Sequence, residues 1–171
     1  MSNLRAREPL ERAGRLFLER PAAARNPNPP ATAVWRGDGL GFEISGPKGE
    51  KATTDMPATF GGDGTGPSPG WLFRAAMAGC FATAIAMRAA LLGIELQSLE
   101  VNVQSESDSR GFFGISGVST ALGGLRMSVK IGANGLNEEQ LRDLVTWAEA
   151  HSTVGCTLRE HPPVAVEISV M

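Results

Sequence analysis

The chain is poor in the residues that carry metal and disulfide chemistry. Its 171 residues include two cysteines, two histidines and no tyrosine. Two cysteines do not make the framework of a disulfide-rich secreted domain. His151, Cys156 and His161 lie five residues apart, a spacing that matches no common zinc motif. We therefore expect no metal and no cofactor in this protein.

Strong charge and long apolar runs are also missing. The net charge is −2 and the basic residues are scattered, which argues against a nucleic-acid partner. Residues 1–19 carry charges throughout, unlike a secretory signal peptide. The longest uncharged part of the most apolar stretch, Ala75–Met87, is too short to cross a bilayer. These features favour a cytoplasmic protein with no membrane association.

The sequence motifs of two kinds of functional site, a serine hydrolase and a nucleotide-binding loop, are missing. No G-x-S-x-G is present, so a serine hydrolase with a nucleophile elbow is not expected. The glycine-rich segment Gly61–Ser68 has neither the lysine of a P-loop nor the spacing of a dinucleotide-binding loop. We interpret this segment as a turn or flexible lid that precedes a helix.

The most apolar stretch predicts a long helix from Pro69 to Leu92. Ser68 is a favourable N-cap, Pro69 suits the first helical position, and Gly93 ends the helix. The helix is apolar nearly all round and rich in small residues, so every side of it needs cover. One subunit of this size can hardly provide that cover, and we therefore expect a homodimer.

Hydrophobic periodicity predicts the remaining elements. An amphipathic helix over Leu4–Arg20 belongs to an N-terminal extension of residues 1–30, which precedes a domain of residues 31–171, and a loop covers Gly46–Pro67. A capping box at Asn137–Gln140 starts another helix. Strands are expected at Ala31–Arg36, Leu40–Ser45, Leu99–Val103, Leu125–Ile131 and Val164–Val170. This order indicates an α+β fold with a mainly antiparallel sheet.

Cys80 lies in the middle of the long apolar helix and admits two interpretations. It is either an inert core thiol or a redox nucleophile. It is eleven residues into its own helix, too far for that helix dipole to act on it, and burial raises a thiol pKa. A reactive Cys80 therefore needs an arginine or lysine brought by folding or by a partner subunit. The upstream candidates are Arg36, Lys48 and Lys51.

The sequence from Gly66 to Phe81, GPSPGWLFRAAMAGCF, resembles the region around the first cysteine of the OsmC/Ohr family. These are osmotically induced and organic hydroperoxide resistance proteins. Gly93–Val101, Asp108–Gly114 and Ala150–Val154 are similar to later regions of the same family, so the resemblance covers about residues 31–170. It implies an intertwined homodimer in which sheets wrap around long buried central helices, with active sites at the subunit interface.

The resemblance also implies roles for individual residues. Peroxidases of this family use a peroxidatic cysteine, a resolving cysteine, an arginine and a glutamate, and a dithiol reductant restores them. By position, Cys80 is the peroxidatic candidate, Cys156 a resolving candidate and Arg36 the cation. The family's resolving cysteine falls near Ser152 of this chain, and Pro69–Trp71 stands where the glutamate belongs.

Two functions follow from these features. The first is a thiol-dependent peroxidase that reduces a small organic hydroperoxide through Cys80, with Cys156 resolving the sulfenic acid as a disulfide. The alternative is a non-catalytic protein of the same fold that binds a small apolar ligand, with Cys80 as a structural core thiol. The apolar residues expected to bind substrate are Phe60, Trp71, Phe73, Met77 and Phe81.

Overall fold

The computed structural model describes residues 2–170 and has an α+β fold. The helices are α1 (Arg7–Glu19), α2 (Pro69–Leu91), α3 (Ser109–Phe112), α4 (Glu138–His151) and α5 (Thr153–Glu160). The strands are β1 (Thr32–Trp35), β2 (Phe42–Ser45), β3 (Lys51–Thr54), β4 (Leu96–Glu106) and β5 (Gly123–Ala133). The chain divides into two compact units. Unit A contains residues 2–7, 77–101 and 129–170, and unit B contains residues 8–76 and 102–128.

The core of unit A lies between the C-terminal part of α2 and helix α4. Ile85 and Ala148 are fully buried, and Phe81 is 5% exposed. Apolar side chains of β4, β5 and α4 pack against these residues, as the alternation of the two strands predicted. The side chain of Asn3 holds the N-terminal segment by donating to the carbonyl of Ile94 and accepting from the N–H of Leu96.

Unit B contains the antiparallel sheet of β1, β2 and β3. The predicted strands Ala31–Arg36 and Leu40–Ser45 are confirmed as β1 and β2, which pair as a hairpin with Thr32 opposite Ser45 and Trp35 opposite Phe42. Gly37 and Gly39 both have positive φ, which explains the two glycines in this turn. The expectation of a loop over residues 46–67 is wrong in part, because Lys51–Thr54 pairs with β2 as a third strand.

Helix α2 forms as predicted. The hydroxyl of Ser68 accepts from the N–H of Trp71 at its start, and Gly93 follows its end with a φ of 71°. Only five of its 23 residues are buried in the single chain. By length and composition α2 is long and apolar enough to cross a membrane, as the core helices of soluble proteins also are. The expectation that the apolar stretch is too short to cross a bilayer is therefore corrected.

The predicted last strand is wrong for the chain as described. Residues 161–170 have no regular secondary structure. The four alternating apolar side chains are 79–92% exposed: Val164, Val166, Ile168 and Val170. A strand forms only when its backbone groups pair with a neighbouring strand, and no pairing to this segment occurs within residues 2–170. The predicted homodimer and the boundary at residue 30 stay predictions.

Candidate active site

The sulfur of Cys80 faces the first residues of another helix. Cys80 is half-buried on α2. Its Sγ accepts a hydrogen bond from the hydroxyl of Ser152, with Oγ at 3.2 Å, and one from the N–H of Val154 at 3.5 Å. Ser152 is the N-cap of α5, so the donors come from the end of that helix where backbone N–H groups are free.

The local sequence explains why these donors point at the thiol. Helix α4 ends at His151, and Ser152 has the extended backbone of an N-cap. Its N–H donates to the carbonyl of Ala148, and its hydroxyl oxygen accepts from the N–H of Gly155. The hydroxyl proton is then available for Cys80, because a serine hydroxyl donates once and accepts twice. Ser152 is 2% exposed, which keeps this arrangement away from water.

Opposing effects act on the pKa of Cys80. Burial is the largest single one and raises the pKa of the thiol. The hydrogen bonds from the Ser152 hydroxyl and from the backbone of Val154 and Thr153 lower it, and together they outweigh burial. The pKa of Cys80 therefore lies below its ordinary value, so the thiolate forms more readily than in an ordinary cysteine.

The donors at Cys80 within the described part of one chain are all uncharged. The expectation that a reactive Cys80 needs an arginine or lysine, brought by folding or by a partner subunit, stays a prediction. The groups that hydrogen-bond to its sulfur in the described chain are one hydroxyl and backbone N–H groups, none of them a charged side chain. The N-terminus of α5 carries partial positive charge, so a second helix supplies what the dipole of α2 cannot.

Cys156 lies one helical turn after Ser152 but its sulfur is held elsewhere. Its thiol donates to the carbonyl of Ala150 at 3.3 Å and accepts from Nη2 of Arg159 at 3.3 Å. Both cysteines are free thiols. Ser152, near which the resemblance expects the resolving cysteine, is thus the residue that contacts Cys80. The resolving role of Cys156 stays a prediction.

The other predicted site residues divide between the two units. Arg36 is exposed at the end of β1, and its Nη2 donates to the hydroxyl of Thr65 at 3.0 Å. Its role as the cation at the thiolate is not tested by the structure. The apolar set has mixed exposure: Trp71 is 52% exposed, Phe60, Phe73 and Met77 are half-buried, and Phe81 belongs to the core of unit A. Their role in substrate binding stays a prediction.

Two features of the structure could not be read from the sequence pattern alone. One is the donor role of Ser152, although a serine directly before a helix is a recognisable N-cap signal. The other is Asp55, which is 1% exposed and organises the glycine-rich loop in unit B. The aspartate before that loop was the available signal, since aspartate side chains bind nearby backbone N–H groups in turns. Within residues 2–170 no group of three His, Cys, Asp or Glu side chains is arranged to hold a metal ion.

Comparison with known proteins gives the family of the chain. A model of the OsmC-like protein family matches residues 62–167. An OsmC-like protein of Mycoplasma pneumoniae is 16% identical with a TM-score of 0.66, and the match covers 79% of this chain and 89% of that one. An organic hydroperoxide resistance protein OsmC of Legionella pneumophila is 22% identical with a TM-score of 0.54, over 79% and 91% of the two chains.

Another solved structure has the same fold. An organic hydroperoxide resistance protein of Elizabethkingia anophelis is 18% identical with a TM-score of 0.58, and the match covers 79% of this chain and 90% of that one. No protein of curated function matches the chain significantly. The family match spans most of the chain and the structures share its α+β fold. The chain therefore belongs to the OsmC-like protein family.

Proposed function

We propose that this chain is a thiol-dependent peroxidase that reduces small organic hydroperoxides through Cys80. The observation that carries the proposal is the hydrogen-bonded sulfur of Cys80, which faces the Ser152 hydroxyl and the N-terminus of α5. A thiolate is the nucleophile in such chemistry, and these donors favour the thiolate at a half-buried position. The family includes proteins described as organic hydroperoxide resistance proteins, which agrees with this chemistry.

The proposed reaction is a two-electron oxidation of the cysteine. The Cys80 thiolate attacks the hydrogen-bearing oxygen of the hydroperoxide, the O–O bond breaks, and the leaving alkoxide takes up a proton from solvent to become the alcohol. Cys80 becomes a sulfenic acid. The thiol of Cys156 then attacks the sulfenic sulfur and releases water as a disulfide forms. An external dithiol reduces that disulfide and restores both thiols.

A homodimer and a cytoplasmic location complete the proposal. Only five of the 23 residues of α2 are buried by its own chain, and four alternating apolar side chains near the C-terminus are exposed. A second copy supplies cover for both surfaces. Proteins of the OsmC-like family are generally soluble, which agrees with the proposed location. Light scattering at micromolar concentration should show twice the chain mass, and a monomer would contradict this part.

The reaction is tested by following cumene hydroperoxide consumption with a dithiol reductant in excess. Cys80→Ser should abolish turnover, because serine has no ionisable thiol at neutral pH. Thr83→Ser on the same helix is a matched control that leaves both cysteines in place and should keep the rate. An unchanged rate in the Cys80 variant would reject the proposal.

A second candidate function is binding of a small apolar ligand without catalysis. Unit A has an open cavity of about 500 Å³, lined among others by Leu92, Ile94, Leu136 and Trp147. The guanidinium of Arg88 lies 5.0 Å from the centre of the Trp147 ring. Fluorescence of Trp147 should change on addition of an apolar ligand if this cavity is the site. The response should be lost in Trp147→Phe and kept in Trp71→Phe.

A further inference from the structure

Unit B contains a buried carboxylate whose hydrogen bonds organise the glycine-rich loop. Asp55 directly follows β3 and is 1% exposed. Its Oδ1 accepts from the N–H of Met56 at 2.7 Å. Its Oδ2 accepts from the N–H of Asp63 at 3.2 Å and from the N–H and hydroxyl of Thr65 at 3.0 and 2.9 Å. A buried carboxylate with this many donors is fully hydrogen-bonded and fixes the positions of the residues that donate to it.

These hydrogen bonds also keep Asp55 ionised. The N–H of Thr65 contributes most to lowering its pKa, and burial acts in the opposite direction. The Thr65 hydroxyl and the N–H groups of Met56 and Asp63 lower the pKa further, so it lies below its ordinary value. At neutral pH the loop is therefore built around a negative charge.

The hydroxyl of Thr65 connects this carboxylate to Arg36. Its oxygen lies 2.9 Å from Oδ2 of Asp55 and 3.0 Å from Nη2 of Arg36. A guanidinium only donates and a carboxylate only accepts, so the single hydroxyl proton points to Asp55 and a lone pair receives Arg36. The chain of hydrogen bonds thus has one direction, from the guanidinium through the hydroxyl to the carboxylate.

A glycine makes room for the guanidinium in this position. A Cβ built on Gly41 would lie 2.6 Å from Nε and 2.7 Å from Cζ of Arg36, closer than real Cβ contacts come. The N–H of Arg36 donates to the carbonyl of Gly41 across the hairpin, so the two residues are directly opposed. Any side chain at position 41 would push the guanidinium away from Thr65.

We propose that Asp55 is a positioning residue that orients Arg36 through the hydroxyl of Thr65. The proposal rests on the proposed function and on the family resemblance, which implies that Arg36 is the cation for the reacting thiolate. The segment Pro69–Trp71 offers no carboxylate for this purpose. Asp55 supplies the negative charge that is missing at Pro69–Trp71, and the Thr65 hydroxyl between Asp55 and Arg36 orients the guanidinium.

The experiment compares three threonine variants. Thr65→Val has nearly the same shape but removes the hydroxyl, while the N–H of residue 65 still donates to Asp55. Thr65→Ser keeps the hydroxyl and should restore parental behaviour. Thr59→Val changes an exposed threonine just before the glycine-rich loop and is the matched control. Gly41→Ala displaces the guanidinium directly and leaves Thr65 and Asp55 intact, with Gly123→Ala as its control because a Cβ there meets nothing within 4 Å.

Two measurements separate the positioning role from the proposed function. The rate of phenylglyoxal modification at Arg36, resolved by peptide mass spectrometry, reports how firmly the guanidinium is held. It should rise several-fold in Thr65→Val and Gly41→Ala only. The kcat/KM for cumene hydroperoxide should fall about tenfold in the same two variants, since reactions respond steeply to misplaced groups.

Each outcome bears on one claim. Parental values of both measurements in Thr65→Val would overturn the positioning role. Faster modification of Arg36 with unchanged kcat/KM would also overturn it, because the contact would then have no effect on the reaction. If the parent chain reduces no hydroperoxide, the proposed function is wrong. The phenylglyoxal rates alone then decide whether Thr65 and Asp55 hold Arg36.

Discussion

Replacing Ser152 with alanine is the most direct perturbation of the Cys80 site. The change removes the hydroxyl that donates to Sγ at 3.2 Å and leaves the N–H of Val154 in place. The pKa of Cys80 should rise, because a donor that favours the thiolate is lost while the thiol stays half-buried. The reactivity of Cys80 at low pH should therefore fall.

The magnitude follows from the energy of a hydrogen bond to a charged group. Such a bond contributes about 1.5–3 kcal/mol, and a half-buried sulfur acceptor belongs near the lower end. A loss of about 1.4 kcal/mol reduces the thiolate fraction roughly tenfold at a pH well below the pKa. A more basic thiolate is intrinsically about threefold more nucleophilic, which offsets part of that loss. The net alkylation rate at low pH should fall about threefold.

At high pH the sign reverses. Once Cys80 is fully ionised in both proteins, the variant retains only the gain in nucleophilicity and should react about threefold faster. The two pH–rate curves therefore cross. This crossing distinguishes a change in the thiol itself from a general loosening of the site, which would speed alkylation at every pH.

The assay is iodoacetamide alkylation from pH 5 to 10 in a Cys156→Ser background, so that Cys80 is the only thiol. Thr157→Ala is the matched control, because it removes a hydroxyl from α5 that donates to the carbonyl of Thr153. Loss of the N-cap costs about 1 kcal/mol, so the measurements belong well below the unfolding temperature. Superimposable curves for Ser152→Ala and the parent would refute the assigned role of this hydroxyl.

Other parts of the chain give predictions that use different measurements. Cys156→Ser should leave Cys80 over-oxidised to sulfinic and sulfonic acids after hydroperoxide treatment, and identical mass spectra with and without Cys156 would remove it as the resolving residue. Ile85→Ala should lower the free energy of unfolding by about 2–5 kcal/mol in urea, since Ile85 is fully buried, and a loss below 1 kcal/mol would contradict its place in the core. Truncation after His161 should shift the protein towards monomer in light scattering if the exposed C-terminal segment contacts a second copy, and an unchanged mass would exclude that contact.

The sequence predicted the elements that carry their own local signals. Helix α2 has an N-cap, a first-position proline and a terminating glycine, and its observed bounds agree with them. Helix α4 has Asn137 as its N-cap and the predicted capping box, in which Asn137 and Gln140 exchange hydrogen bonds. These signals act over four residues or fewer, so they predict a helix end without knowledge of the tertiary structure.

Elements that depend on a distant partner were less predictable. The short strand β3 has a weak pattern and forms because β2 offers an edge to pair with. The segment at Val164–Val170 has a strong pattern and is not a strand, because pairing within the described chain is missing. Periodicity indicates which side chains face the same way, whereas pairing decides whether a strand exists.

In the candidate site, too, single residues were predictable from the sequence but their contacts were not. Cys80 is identifiable from its position in the helix and from the family resemblance, and so is the region around Ser152. The contact between them joins residues 72 positions apart. No periodicity in the sequence encodes such a contact. The chain Arg36, Thr65, Asp55 spans three separate segments and is invisible to spacing for the same reason.

Ser152 contacts Cys80 and is also the N-cap of α5, so the ionisation of the thiol and the stability of that helix are coupled. The N-terminus of α5 stabilises the thiolate, and the thiolate stabilises α5 by the same free energy. Because the folded pKa is the lower one, this stabilisation is complete above the unfolded pKa of cysteine and disappears as the pH falls through the folded value. Oxidation or alkylation of Cys80 removes the same charge. The segment that carries Cys156 is then held less firmly, and in the proposed reaction this is the step at which the Cys156 thiol attacks.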